Sequence, residues 1–256
     1  MDLENHHHYV GINRDGLTLG YTKRNNGLSR YPENSFNMAL YIDDQAENVH
    51  QHQKLLANEI GFDPESWILP IQKHGRGIAE VFKADAGTNV RELSDSLYNV
   101  DGIFTYDTGL LLTMNFADCV PVYVWSMKDD FIGLAHAGWR GTSHNITGSI
   151  INTYHGDPAD LAVMIGVSIS GSRYTVDHTV IDILKESGLP KGAFRTHDSG
   201  YDLDLKTVNK HQALSSGVLP GFVYTSAYGT EDLEKFFSFR IEKGRTGRAL
   251  AFIGRN

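Results

Sequence analysis

The chain has 256 residues, 41% of them apolar and 21% charged, with a net charge of −8. This is a globular composition near the upper size of one hydrophobic core. The acidic balance and the lack of a dense Lys/Arg block argue against a nucleic-acid partner, although one or two arginines could still hold a small anion. No apolar run approaches the length needed to cross a bilayer, and the start lacks the basic-then-apolar pattern of a secretory signal. There is one cysteine, Cys119, so no intrachain disulfide can form, and a reducing cytoplasm is the expected compartment.

The first residues, "MDLENHHHYV", are expected to be a flexible polar start over 1–8, ahead of one domain that spans residues 1–256. In "VGINRDGLTLGYTKRNNGLSRYP", short strands alternate with turns at "RDG" and "NNG". "DDQAENVHQHQKLLANEIG" predicts a helix with Val49, Leu56 and Ile60 on one stripe, Leu55 beside it, and Gly61 as the stop. "SWILPIQ" and "GIAEVF" predict strands, as do "GIFTY", "GLLLTMNF", "CVPVYVW" and "FIGLA" in the centre. Pro121 lies inside one of these runs and argues for an edge or irregular strand. "TSHNITGSIINTYHG" predicts a helix capped by Thr142 or Ser143, with His144 facing solvent. "LAVMIGVSI" is a buried strand. "DHTVIDILKESG", with Asp177 as cap, and "DLKTVNKHQALSSG" are helices. "FFSFRIEKGRTGRALAFIG" predicts two strands joined by a turn. Strands and helices recur without strict alternation, so the expected fold is α+β: mixed β-sheets flanked by helices in a layered sandwich.

Three places put metal-ligating residues beside glycine or at strand ends: His74 in "QKHGRG", Cys119 in "NFADCVP" and His136 in "LAHAGWRG". Two imidazoles and a thiolate make a catalytic zinc set with an open fourth position. Their separations of 45 and 17 residues match no short zinc motif. From spacing alone, a shared site and three unrelated residues both fit: a core-facing His74, a buried Cys119 and a strand-end His136. Arg140 follows His136 by four residues, next to the expected helix start, and is the best anion candidate. The alternative is a surface ion pair. Asp118, next to Cys119, could orient a ligand histidine or cap a turn. Asn37, Arg24 and Arg240 could contact ribose or phosphate, or serve structure. Trp139 could stack on a base. Met114, Phe116, Tyr123 and Trp125 are expected in the core. His50 and His52 lie two apart on a helix and cannot share a ligand.

"QKHG", "ADCVPVYV" and "HAGWRGT", together with "RNNGLSRYPENSFNMALYIDD", "IGVSISGSRYTVD", "YDLDLKTVNKHQALSSGV" and "FFSFRIEKGRTGRALAFI", closely resemble the family described variously as laccase-like multicopper polyphenol oxidase, YfiH-like protein and purine nucleoside phosphorylase. The resemblance covers nearly the whole chain. It implies one zinc bound by His74, Cys119 and His136. It also implies phosphorolysis of adenosine, inosine and methylthioadenosine, together with adenosine deamination, in a monomer or weak dimer. A zinc that lowers the pKa of its water to about 7 would serve the deamination. The family name leaves copper possible, but a true multicopper centre needs more histidine ligands than the sequence offers. A second enzyme reading is a Cys–His hydrolase or amidase built on Cys119 and His136, because the family's fold is similar to that of certain deamidases. It would act on an amide such as a cell-wall precursor's. A non-enzymatic zinc protein would need a fourth ligand. The pattern is broken at Thr175, where the family carries an acid, at His52–Gln53 in place of Asn-Arg, and at Ile241 after Arg240. Substrate contacts at these positions are therefore in doubt.

Overall fold

The computed structural model describes residues 1–30 and 32–256. Two six-stranded mixed sheets lie face to face. The first runs, in spatial order, Glu4–Asn5, Tyr9–Arg14, Leu17–Thr22, Ala249–Arg255, Leu111–Phe116 and Trp67–Ile68. The second runs Val223–Thr225, Leu161–Ile165, Val120–Ser126, Ile132–Ala137, Gly102–Thr105 and Ile78–Glu80. Most neighbours are antiparallel; Trp67–Ile68, Ile78–Glu80 and Val223–Thr225 pair in parallel at the edges.

Strand alternation sorts the side chains into layers. Leu112, Met114 and Phe116 from the first sheet meet Tyr123, Trp125, Ile132 and Leu134 from the second in the central core. On the outer face of the second sheet, Val120, Val122 and Val124 pack against helices α3 (Ile146–Ile151), α4 (His178–Glu186) and α5 (Leu205–Ser215). The outer face of the first sheet packs Leu111, Leu250 and Phe252 against α1 (Ala46–Ile60). The result is an α–β–β–α sandwich, as the mixed-sheet reading expects. Each buried aliphatic or aromatic side chain contributes roughly 1.5–3 kcal/mol. No helix among the described residues is long and apolar enough to cross a membrane.

Local signals place many elements. Asp15 and Gly16, both at positive φ, close the hairpin between Arg14 and Leu17. Gly61, left-handed at φ 79°, ends α1. Asp177 and Asp204 cap α4 and α5 through Val180 N–H and Thr207 N–H. In α1 the buried face is Val49, His52, Gln53, Leu56, Ala57 and Ile60, whereas Leu55 is exposed.

Five expectations are corrected. Pro121 lies in an interior strand, not at an edge; its missing N–H falls where the neighbouring strand has already ended at Ile165. The single helix expected after His136 is two, α2 (Trp139–Ser143) and α3. Asn145, at φ 56°, breaks the run and caps α3 by accepting from Gly148 N–H. "SWILPIQ" forms a strand only at Trp67–Ile68, with one isolated parallel bridge further on between Ile71 and Tyr98. The segment 236–247 is a series of turns, not a strand: Glu242 N–H bonds to Ser238 and Gly244 N–H to Phe239, while Phe236 and Phe237 are fully buried. The start, expected to be flexible over 1–8, packs onto the first sheet. Glu4–Asn5 pairs with Val10–Gly11, and His8 is buried against Glu59 at 2.8 Å.

Candidate active site

The site forms where both sheets end on the same side. Ile132, Leu134 and His136 share the inward face of one strand, so His136 continues a row that is otherwise core. It is 3% exposed and lies against Phe116. Cys119 sits in the short connection that carries the chain from the strand Leu111–Phe116 of the first sheet to Val120–Ser126 of the second. His74 stands in the loop after Trp67–Ile68, in left-handed backbone at φ 58°. These three segments bring the ligand atoms of His74, Cys119 and His136 within 4.8 Å of one another. The two imidazoles meet edge to face, with centroids 4.7 Å apart. Among the described residues this is the one such group of metal-ligating side chains. His50 and His52 point apart, as expected: His50 bonds to the Arg91 carbonyl, and His52 is buried between the Asn37 carbonyl and the Leu28 N–H.

Asp101, which the sequence reading passed over, organises two of the three. It is fully buried. Its Oδ1 accepts from His136 Nδ1 at 2.8 Å and from His74 N–H at 3.0 Å; its Oδ2 accepts from Gly75 N–H at 2.8 Å and Lys73 N–H at 3.2 Å. A carboxylate only accepts, so Nδ1 of His136 carries a proton and Nε2 is the nitrogen turned to the cluster. The same carboxylate holds the turn that presents His74. Burial alone would raise the Asp101 carboxyl, but His136 and the backbone N–H groups outweigh it and hold the group below its usual value. Burial also pushes the Cys119 thiol up, yet His136 and His74 bring it down to about 6. His136, pushed down by burial, is held up at about 9 by Cys119 and Asp101.

Gly138 completes the cradle. A Cβ there would stand 3.0 Å from Cys119 Sγ and 3.3 Å from a carbon of the His74 ring, so any side chain would press both residues back by a few tenths of an ångström.

The cluster opens into a pocket of about 590 Å³. Arg140 lines it, with its guanidinium 4.3 Å from the centre of the Trp139 ring. It makes no ion pair among the described residues, so the surface-pair alternative is not what the structure contains. Arg140 lies in the first turn of α2, not ahead of a helix at Thr142. Arg240 also lines the pocket. It sits 4.7 Å over Tyr174 and donates to the Thr175 carbonyl, the position where the family's acid is missing. Arg248, also passed over although it lies in the quoted "TGR" stretch, joins them above Phe239. Met114, Phe116, Tyr123 and Trp125 are core, as expected.

Three expected site residues are elsewhere or do something else. Asn37 is fully buried outside the pocket, tied to Asp44, Ala39 and Arg248 N–H. Arg24 pairs with Glu242 at 3.0 Å and caps the Phe236 carbonyl, away from the cluster. Asp118 borders the pocket, but its oxygens accept from Thr230, Ser238 and Arg240 N–H. Of the two roles open to it, these contacts are those of an acid that holds a turn; the contact with a cluster histidine is made by Asp101 instead. Of the other broken positions, Gln53 braces α1 against the Val90 carbonyl, and Ile241 is partly exposed.

An α–β–β–α sandwich with a His–Cys–His cluster at a shared sheet end defines the class. Residues 18–256 match the family model described as multi-copper polyphenol oxidoreductase laccase, and the chain belongs to that family, the YfiH family. It is 46% identical to a purine nucleoside phosphorylase of Staphylococcus aureus strain COL over 97% of this chain and 96% of that one. It is 47% identical to a purine nucleoside phosphorylase of Staphylococcus saprophyticus over 93% and 92%. Among solved structures, YlmD from Geobacillus stearothermophilus superposes with TM-score 0.95 at 35% identity, over 99% of this chain and 98% of that one. YfiH of Bacillus licheniformis superposes with TM-score 0.93 at 32% identity, over 97% of each.

Proposed function

We propose that the chain is a zinc-dependent purine nucleoside phosphorylase acting on adenosine, inosine and methylthioadenosine, with adenosine deaminase activity in the same pocket. The observation that carries this reading is the junction of the His74–Cys119–His136 cluster with a pocket lined by Arg140, Arg240 and Arg248, whose side chains have no carboxylate partner among the described residues. Relatives named purine nucleoside phosphorylase at 46–47% identity support it.

The donor set fits the metal. A thiolate, Nε2 of His136 and one ring nitrogen of His74 make three ligands of the types zinc takes, and the absence of a fourth protein ligand leaves a place for reactants. When bound, the ion supplies a Lewis acid. One cluster of three does not provide the ligands of coupled coppers, so the laccase in the family's name is not the activity we assign. Arg140 receives phosphate: Trp139 beneath it fixes the plane of the guanidinium, whose fork fits two phosphate oxygens. Asp101 keeps His136 in the ligating tautomer throughout. A thiolate ligand suits the reducing cytoplasm in which we place the protein.

The test is product analysis with metal-replete protein and adenosine. Adenine that appears only with phosphate supports phosphorolysis, and inosine supports deamination. The absence of both overturns the reading. A second reading has its own observation: Cys119 lowered to about 6, beside His136 with Asp101 behind it, is also the layout of a Cys–His–Asp amidase. Alkylation separates the two. A stoichiometric zinc that shields Cys119 supports the first, and a reactive, metal-free thiol supports the second.

A further inference from the structure

We propose that Asn115 reads the 6-position of the purine ring. The inference rests on the phosphorolytic reading, in which ribose and phosphate lie by the cluster and the arginines. The base then takes the rest of the pocket, which Tyr41, Leu69, Pro70, Ile71 and Leu93 make largely apolar. Asn115 lines the same pocket and is the polar side chain there with a buried, unused acceptor. In its strand, Leu112, Met114 and Phe116 point into the central core, so Asn115 points to the opposite face, alongside its cross-strand partner Leu250.

Asn115 is 4% exposed, yet its Oδ1 has no hydrogen-bond partner among the described residues. A buried acceptor without a partner costs on the order of 1–3 kcal/mol, which a ligand donor would offset. The backbone of Asn115 is already fixed. Its N–H donates to Gln72 Oε1 at 2.9 Å, and Gln72 Nε2 donates to its carbonyl at 3.0 Å. The Gln72 amide thereby continues the sheet edge where the strand Trp67–Ile68 stops, and it leaves the Asn115 side chain free for another partner.

A carboxamide is suited to both 6-substituents. Its oxygen accepts from the 6-amino group of adenine. Turned over, its NH₂ donates to the 6-oxo group of hypoxanthine. One residue then accounts for a pocket that takes adenosine and inosine alike but distinguishes both from a purine bare at that position.

The test is calorimetry of adenine, hypoxanthine and unsubstituted purine with the metal-loaded protein. Adenine and hypoxanthine should each bind roughly 10-fold tighter than purine, the value of one good hydrogen bond. Asn115→Leu should erase both differences at unchanged metal content. Asn115→Asp, which only accepts, should keep the preference for adenine and lose that for hypoxanthine. Purine binding as tightly as adenine to the unaltered protein would overturn the proposal even if neither variant folds. So would an Asn115→Leu variant that retains the preference. Failure of adenosine to release adenine sinks the phosphorylase reading separately, and the base series still judges Asn115.

Discussion

Asp101 and Asp118 both lie beside the three-ligand cluster, and each gathers several hydrogen bonds, but they serve different parts of the site. Asp101 faces inward: every partner of its carboxylate is a residue of the candidate cluster or of the turn that carries His74. Asp118 faces outward. It ties Thr230, Ser238 and Arg240 N–H to the connection on which Cys119 rides, and so anchors the C-terminal turns that form the far wall. Asp118 is adjacent in sequence to Cys119 and Asp101 is 18 residues away from it, yet it is the distant residue that holds the His136 ring and the His74 backbone. Adjacency along a chain that is turning, as at Asp118 with φ 90°, says little about which way a carboxylate points.

The comparison is tested first at the ligands themselves. His74→Ala, Cys119→Ala and His136→Ala should each remove stoichiometric metal and reduce base release to background. Elemental analysis after dialysis and product chromatography check this. Full turnover by metal-stripped His136→Ala would contradict the assigned centre. Next in size is Asp101→Asn. An amide cannot accept on both sides, so either His136 or the 73–75 turn meets an N–H where it needs an acceptor. Loss of such an orienting carboxylate typically lowers metal affinity roughly 10–100-fold. A chelator competition titration measures the change, and an unaltered affinity would show that Asp101 does not set the tautomer.

The parts of this molecule that were legible in sequence are those with local causes. The Asp15–Gly16 hairpin, the Asp177 cap and the Gly61 stop each depend on a few neighbouring residues. His74, Cys119 and His136 were legible as residue types after apolar runs, and the family resemblance joined them. Asp101 was not, because it opens "DGIFTY" as an ordinary residue before a strand, and its four partners come from other segments. The C-terminal hairpin failed for a related reason. The apolar Phe236 and Phe237 read as strand, but the Phe236 N–H turns back to the Asp232 carbonyl, its carbonyl takes Arg24, and Asp118 holds Ser238 and Arg240 just beyond. For Arg24 and Asn37 the ligand-contact and structural readings both stayed open in sequence, because a polar residue in a connecting segment serves binding and folding alike; tertiary partners such as Glu242 and Asp44 favour the structural one.

Arg140 tests the wall between the two carboxylates. Its side chain has no acid to satisfy, so removing it strands no partner. Arg140→Ala should raise the KM for phosphate by roughly 10-fold or more, the scale of a charge-assisted contact, while metal content stays stoichiometric. Phosphate-dependence curves at saturating adenosine make the measurement. An unchanged phosphate KM would move the anion to Arg240 or Arg248.

The smallest effect on chemistry is expected at Asp118. Asp118→Asn keeps the shape but puts an NH₂ group either against the Arg240 N–H, where Oδ2 stands, or against both the Thr230 and Ser238 hydroxyls, which share Oδ1. The hydroxyls can rotate to accept, whereas the Arg240 N–H cannot, so the amide should turn its oxygen towards Arg240 and weaken the other two contacts. The cost should fall near 1–3 kcal/mol of unfolding free energy in urea, the range for a buried charged acceptor exchanged for a neutral one. Metal affinity should not move, because no ligand touches this side chain. A loss of metal equal to that in Asp101→Asn would erase the distinction between the inward and outward carboxylates and return the orienting role to the residue next to Cys119.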